Sequence, residues 1–152
     1  MIPAVFDCMV FLQAATNPKG AAGACLAVVE AGQVQLFFSA AILAETQDVL
    51  MRPKIRKSFP MLTDEHVEEF IDHLLEKSTT VDPVPLVHRL PRDADDEPYL
   101  NLAITANAAY LVSRDKDLLD LMNDPGFLAQ YPHLRIVDPF SFLTIVRSSA
   151  TP

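Results

Sequence analysis

Short apolar runs at residues 3–7, 34–39, 110–112 and 134–137 are separated by stretches whose apolar residues recur at helical spacing. That alternation restricts the fold more than any other feature of the chain. Strands separated by a helix pair in parallel, because the crossover returns the chain to the same end of the sheet. Parallel strands are covered on both faces, so they read as continuous apolar runs rather than alternating ones. The expected fold is therefore α/β, a Rossmann-like three-layer α/β/α sandwich around a central parallel sheet, formed as one domain over residues 1–152.

The intervening helices are legible from their stops and caps. One is predicted over 21–30, ended by Gly32, and another over 40–51, capped by Ser39, with Ile42, Leu43, Val49 and Leu50 as its apolar stripe. A third runs from Thr63 to about Glu76, with Val67, Phe70, Ile71, Leu74 and Leu75 inward. A fourth carries Leu100, Ala103, Ile104 and Asn107, a short one reaches Met122, and a last one covers 140–147 behind Pro139. Residues 54–59 are expected as a basic turn after Pro53, residues 81–87 as an edge or connector broken by Pro83 and Pro85, and residues 123–126 as a turn.

Acids are the second constraint. Asp93, Asp95, Asp96 and Glu97 crowd the start of the fourth helix, and Asp115 and Asp117 follow the apolar run that ends at Val112. Like charges so close repel unless solvent or a cation screens them. In open parallel sheets ligands sit beyond the carboxyl ends of the strands, and Asp7, the 39–45 region with Glu45, and Asp115 all fall at or just after such ends. Oxygen-only ligands suit Mg²⁺ or Mn²⁺ rather than zinc. Singly, each acid has a plainer reading: Asp95 or Asp96 as a helix cap, Asp115 as a turn residue, Asp117 as the cap of the helix it precedes. His66, His73, His88 and His133 lie on helix faces or near prolines, away from any Ser or Cys nucleophile, and are not expected in the chemistry.

Composition narrows the class. A chain of 152 residues buries about 70% of its unfolded surface. The net charge of -8 argues against coating nucleic acid by bulk charge. Arg52, Lys54, Arg56 and Lys57 are nevertheless clustered, and a local patch can hold phosphates. No apolar run approaches the roughly 20 residues of a membrane span. The N-terminus lacks the basic region of a signal peptide. Cys8 and Cys25 sit among apolar residues without ligand spacing, as buried free thiols in a reducing cytoplasm would.

Several ordered blocks, spread over nearly the whole chain, resemble the PIN domain family and, more narrowly, its bacterial toxin-component (VapC-like) branch. They are Asp7 after the first strand, Phe38-Ser39 through Ala44-Glu45, Val49 to Lys54, Asp93-Ala94-Asp95-Asp96, Leu111 to Leu119, and Ile136 to Pro139 with Phe142-Leu143. The resemblance implies a Mg²⁺- or Mn²⁺-dependent endoribonuclease, the toxin of a pair held by a small antitoxin protein, with a homodimer; that no membrane is a partner follows instead from the short apolar runs. Asp7, Glu45, Asp96 and Asp115 would be its catalytic carboxylates. Asp7, Asp96 and Asp115 would bind metal, with Glu97 as a rival to Asp96 and Asp117 as a further ligand. Asp93, Asp95 and Ser113 would support them, while Arg52, Lys54 and Arg114 would hold the RNA backbone.

Two departures stand out. The first motif usually reads Asp-Thr-Asn, and here it is Asp7-Cys8-Met9. Lost polar side chains there are expected to loosen the first carboxylate, at a cost of roughly 10–100-fold. Ser113-Arg114 replaces Thr-Gly, keeping a hydroxyl and adding a cation. The alternative reading is a PIN-fold binding module whose chemistry has decayed and which works through protein or RNA partners. A receiver-like phosphohydrolase would need a DxDxT motif after the first strand, and the chain has none.

Overall fold

A computed structural model describes residues 1–91 and 93–149. Arg92, which opens the acidic stretch, lies outside the described residues. The apolar runs form β1 (Ile2–Phe6), β2 (Val34–Phe38), β4 (Tyr110–Val112) and β5 (Arg135–Val137). They join a short strand β3 (Ser78–Thr80) in a parallel five-stranded sheet of order β3-β2-β1-β4-β5. Successive side chains on a strand face opposite ways, yet Ala4, Val5 and Phe6 are all completely buried. The sheet is thus covered on both faces. Strand β3 was not expected: it is polar and at the edge, and the extended segment anticipated at 81–87 follows it as a connector.

Helix α1 (Cys8–Thr16) starts immediately after β1. Nearly every side chain in it is apolar and most are buried, so it carries no amphipathic period to announce it. Helices α2 (Ala21–Glu30), α3 (Ala40–Met51) and α5 (Asp64–Lys77) lie where the sequence places them. Ser39 Oγ accepts from Ile42 N and Thr63 Oγ1 accepts from His66 N as N-caps of α3 and α5. Gly32 ends α2 with a φ of 78°.

Two expected turns are helices. Residues Pro53–Ser58 form α4, because the proline that stops one helix is well suited to the first turn of the next. Asp124 caps α8 (Pro125–Gln130), its Oδ1 accepting from Gly126 N and Phe127 N. Helix α6 (Glu97–Thr105) follows a single 3-10 turn at Ala94–Asp96, and α7 (Lys116–Asp120) runs into another at Leu121–Asn123. Asn107 is not part of α6: with a φ of 53° it reverses the chain after the helix. Helix α9 (Pro139–Ser149) closes the described chain.

Helix α1 packs on α2 and α3, α2 on α9, and α3 on α5 and α6. Beneath the carboxyl end of β1, Phe6 meets Phe142 edge-on at 5.6 Å and Phe11 meets Phe38 at 5.5 Å between ring centroids. Each such buried ring contributes roughly 1.5–3 kcal/mol, so Asp7 stands on a packed aromatic cluster. Among the described residues no helix is long and apolar enough to cross a membrane.

The sheet order reverses between β1 and β4, with β2 and β3 to one side and β5 to the other. In doubly wound sheets this switch point opens the ligand crevice. Register completes the placement. Phe6 pairs with Val112, Asp7 N donates to Val112 O at 3.1 Å and Ser113 N donates to Val137 O at 2.9 Å. The residues that follow β1 and β4 therefore emerge side by side.

Candidate metal centre

Asp7 is 5% exposed and caps α1, its Oδ1 accepting from Val10 N at 3.0 Å. Burial pushes its pKa up, against the opposing pull of hydrogen bonds from the Ser113 hydroxyl and the Val10 and Met9 amides. Ser113, fully buried, also accepts from Asp115 N through Oγ at 2.9 Å. One hydroxyl thus ties the two acids on either side of the switch point. Asp115 caps α7, Oδ1 accepting from Asp117 N at 2.8 Å and Leu118 N at 3.3 Å. Being a cap and facing a site are not alternatives for Asp7 or Asp115. The capping bonds that are resolved use Oδ1 of each residue, from Val10 N on Asp7 and from Asp117 N and Leu118 N on Asp115.

Asp96 differs. It sits at the N-cap position of α6 without a capping hydrogen bond from its side chain, and its Oδ2 is buried without a partner. Asp93, Asp96 and Asp115 each offer a carboxylate oxygen, and these lie within 4.8 Å of one another. Burial, followed by Asp93 and Asp115 at close range, pushes the Asp96 carboxyl up to about 8. Near neutral pH a proton thus does for this triad what a cation would do: it relieves crowded negative charge.

A cleft of about 450 Å³ opens on these groups, lined by Asp7, Cys8, Glu45, Asp96, Tyr99 and Asp115, with Arg52 and Arg114 among its further walls. Glu45 reaches it from α3, beside a helix face buried through Ile42, Thr46, Val49 and Leu50. Cys8 Sγ donates to Glu45 Oε1 at 3.4 Å and the Tyr99 hydroxyl donates to Oε2 at 2.8 Å. An adjoining pocket of about 440 Å³ shares Asp96 and adds Asp93, Asp117, Asp120 and Asp124.

The structure brings Asp7, Glu45, Asp96 and Asp115 to one cleft, with Asp95 on its wall and Asp93 drawn into the closest triad. Glu97 is turned elsewhere: its Oε1 accepts from Leu90 N at 2.9 Å, and neighbouring residues on a helix diverge by about 100°. Asp117 is exposed, in the adjoining pocket rather than the cleft, and Asp115, not Asp117, caps α7. Arg114 is an exposed cation of the cleft, Arg52 is paired with Asp48 at 2.9 Å at its rim, and Lys54 stands on exposed α4 outside it. No histidine among the described residues lines the cleft. His88 packs edge-on against Phe127 and Tyr131, and His73 pairs with Glu30.

With Cys8-Met9 in place of Thr-Asn, the carboxylate of Asp7 still has partners. Asp7 is oriented by backbone amides and Ser113, while the Cys8 thiol serves Glu45 and the Met9 side chain is largely exposed. Both cysteines are free and buried. Sequence reasoning missed Tyr99. A tyrosine three residues after Asp96 was visible, but its partner lies 54 residues away in the chain.

The sequence model of the PIN domain family matches residues 3–117, a span that contains every acid of the cleft. An uncharacterized protein of the archaeon Methanocaldococcus jannaschii is 27% identical over 143 residues, covering 93% of this chain and 90% of its own.

Proposed function

The chain belongs to the PIN domain family, and from that premise we propose that it is a Mg²⁺- or Mn²⁺-dependent endoribonuclease, the toxin of a pair restrained by a small antitoxin protein. One observation carries the reading. Asp93, Asp96 and Asp115 each bring a carboxylate oxygen within 4.8 Å of the others, and Asp96 also carries a buried Oδ2 without a hydrogen-bond partner. A hard divalent cation with oxygen ligands fits that donor set.

Asp96, Asp115 and Asp93 would hold the ion, with Asp7 and Glu45 beside them in the cleft. When bound, such an ion lowers the pKa of a coordinated water and neutralises charge on a phosphodiester. The protein's own groups do the rest. Ser113 fixes Asp7 and Asp115 relative to each other, and the α1 and α7 caps hold each carboxylate in place. Arg114, exposed at the cleft, is placed to meet the phosphate backbone and offset the chain's negative charge. Arg52 lines the same cleft while bonded to Asp48 through Nε and Nη2, and an exposed pair of this kind is worth only about 0–1 kcal/mol.

The test is Mn²⁺-dependent cleavage of RNA by purified protein. Asp7→Asn or Asp115→Asn should reduce it at least about 100-fold with the fold intact by circular dichroism. Equal cleavage by wild type and variants removes the reading. The toxin role is tested separately: induced expression should arrest growth of the host cell and Asp115→Asn should not.

A further inference from the structure

The knot around Glu45 is a second device, distinct from the aspartate triad. Glu45 comes from α3, Cys8 from the start of α1 and Tyr99 from the first turns of α6. Both oxygens of one carboxylate are held, Oε1 by the Cys8 thiol at 3.4 Å and Oε2 by the Tyr99 hydroxyl at 2.8 Å. Tyr99 is 2% exposed and Cys8 6%, so both donors are held in the packed wall of the cleft. Among the described residues no lysine or arginine pairs with Glu45. The carboxylate is therefore fixed in direction by two uncharged hydrogen-bond donors rather than by a salt bridge among the described residues, which suits a group meant to face a cation.

We infer that Tyr99 is a positioning residue for Glu45, its hydroxyl fixing the carboxylate toward the cleft with Cys8 as the weaker second support. A sulfur donor at 3.4 Å is a weak hydrogen bond, whereas the phenol bond at 2.8 Å is charge-assisted. Loss of the hydroxyl has the larger effect. The consequence for metal affinity rests on the nuclease reading, but the orientation of Glu45 does not.

The experiment uses the full chain and two variants, Tyr99→Phe, which keeps the ring in the core, and Cys8→Ser, which offers a stronger donor. Metal-free crystal structures of all three are compared, and Mn²⁺ affinity is measured by calorimetry. In Tyr99→Phe the Glu45 carboxylate should leave its wild-type position, and Mn²⁺ affinity should fall about 10-fold, with an unchanged fold. Cys8→Ser should keep Glu45 in place and bind Mn²⁺ at least as tightly as wild type. An unmoved Glu45 in Tyr99→Phe overturns the inference, whereas a moved Glu45 with unchanged affinity upholds the positioning role and removes its consequence for metal binding. If the wild type itself takes up no Mn²⁺, the nuclease reading fails, and the metal-free structures alone decide the role of Tyr99.

Discussion

Asp96 concentrates the electrostatic cost of the site in one carboxyl group. A carboxyl raised above its unfolded value of about 3.9 favours the folded state while protonated. That contribution is fully present below the unfolded value and is lost as pH rises through about 8. Asp7 is shifted in the same direction. Asp96→Asn cannot ionise, so the metal-free variant should gain thermal stability relative to wild type as pH rises from about 5 to about 9. A constant difference across that range would contradict the assignment. In the wild type, Mn²⁺ should displace the proton, so calorimetry in buffers of different ionisation enthalpy should register proton release at neutral pH. Asp7 and Asp115 were legible because each follows an apolar run at the end of a strand. The choice between Asp96 and Glu97 was not, since adjacent positions on a helix face different directions and only packing fixes which way the helix is turned.

Helix α6 brings the acidic turn to the site, and a polar strap holds the chain that enters it. Asn101, 3% exposed, accepts from Val87 N and His88 N, both at 2.8 Å, and donates to His88 O at 3.0 Å and Glu97 O at 2.8 Å. Glu97 adds its bond to Leu90 N. The proline-broken segment, which makes no strand of its own, is thereby pinned to α6 just before Asp93. Asn101→Ala leaves backbone groups without partners and should cost about 2 kcal/mol, read as a lower urea midpoint with an unchanged slope. No loss would mean that the strap does not order the turn. The elements missed in the sequence failed for physical reasons. Helix α1 is apolar nearly all round, β3 is polar and exposed at the edge, and α4 begins with the residue that ended its predecessor.

Across the whole molecule, topology converts sequence-distant acids into neighbours. The strand order reverses between β1 and β4, so Asp7 and Asp115 meet although 108 residues apart in number, as their positions show. In a chain of net charge -8, a cation bound at this point would relieve the crowded acids, and that relief would reach the stability of the fold through mass action. Mn²⁺ at about 100 times its Kd should stabilise the wild type by about 2.7 kcal/mol, and Asp115→Asn should lose most of that gain. Alternation of apolar runs and helices was enough to place the strand ends, whereas the donors that orient the acids came from contacts no spacing rule reveals. The most direct test of the central claim is anomalous diffraction from a crystal soaked in millimolar Mn²⁺. A peak coordinated by carboxylate oxygens of Asp96, Asp115 and Asp93 is expected, with Asp7 and Glu45 beside it. A soaked crystal with no peak there, or with manganese bound only at other carboxylates, would contradict that claim.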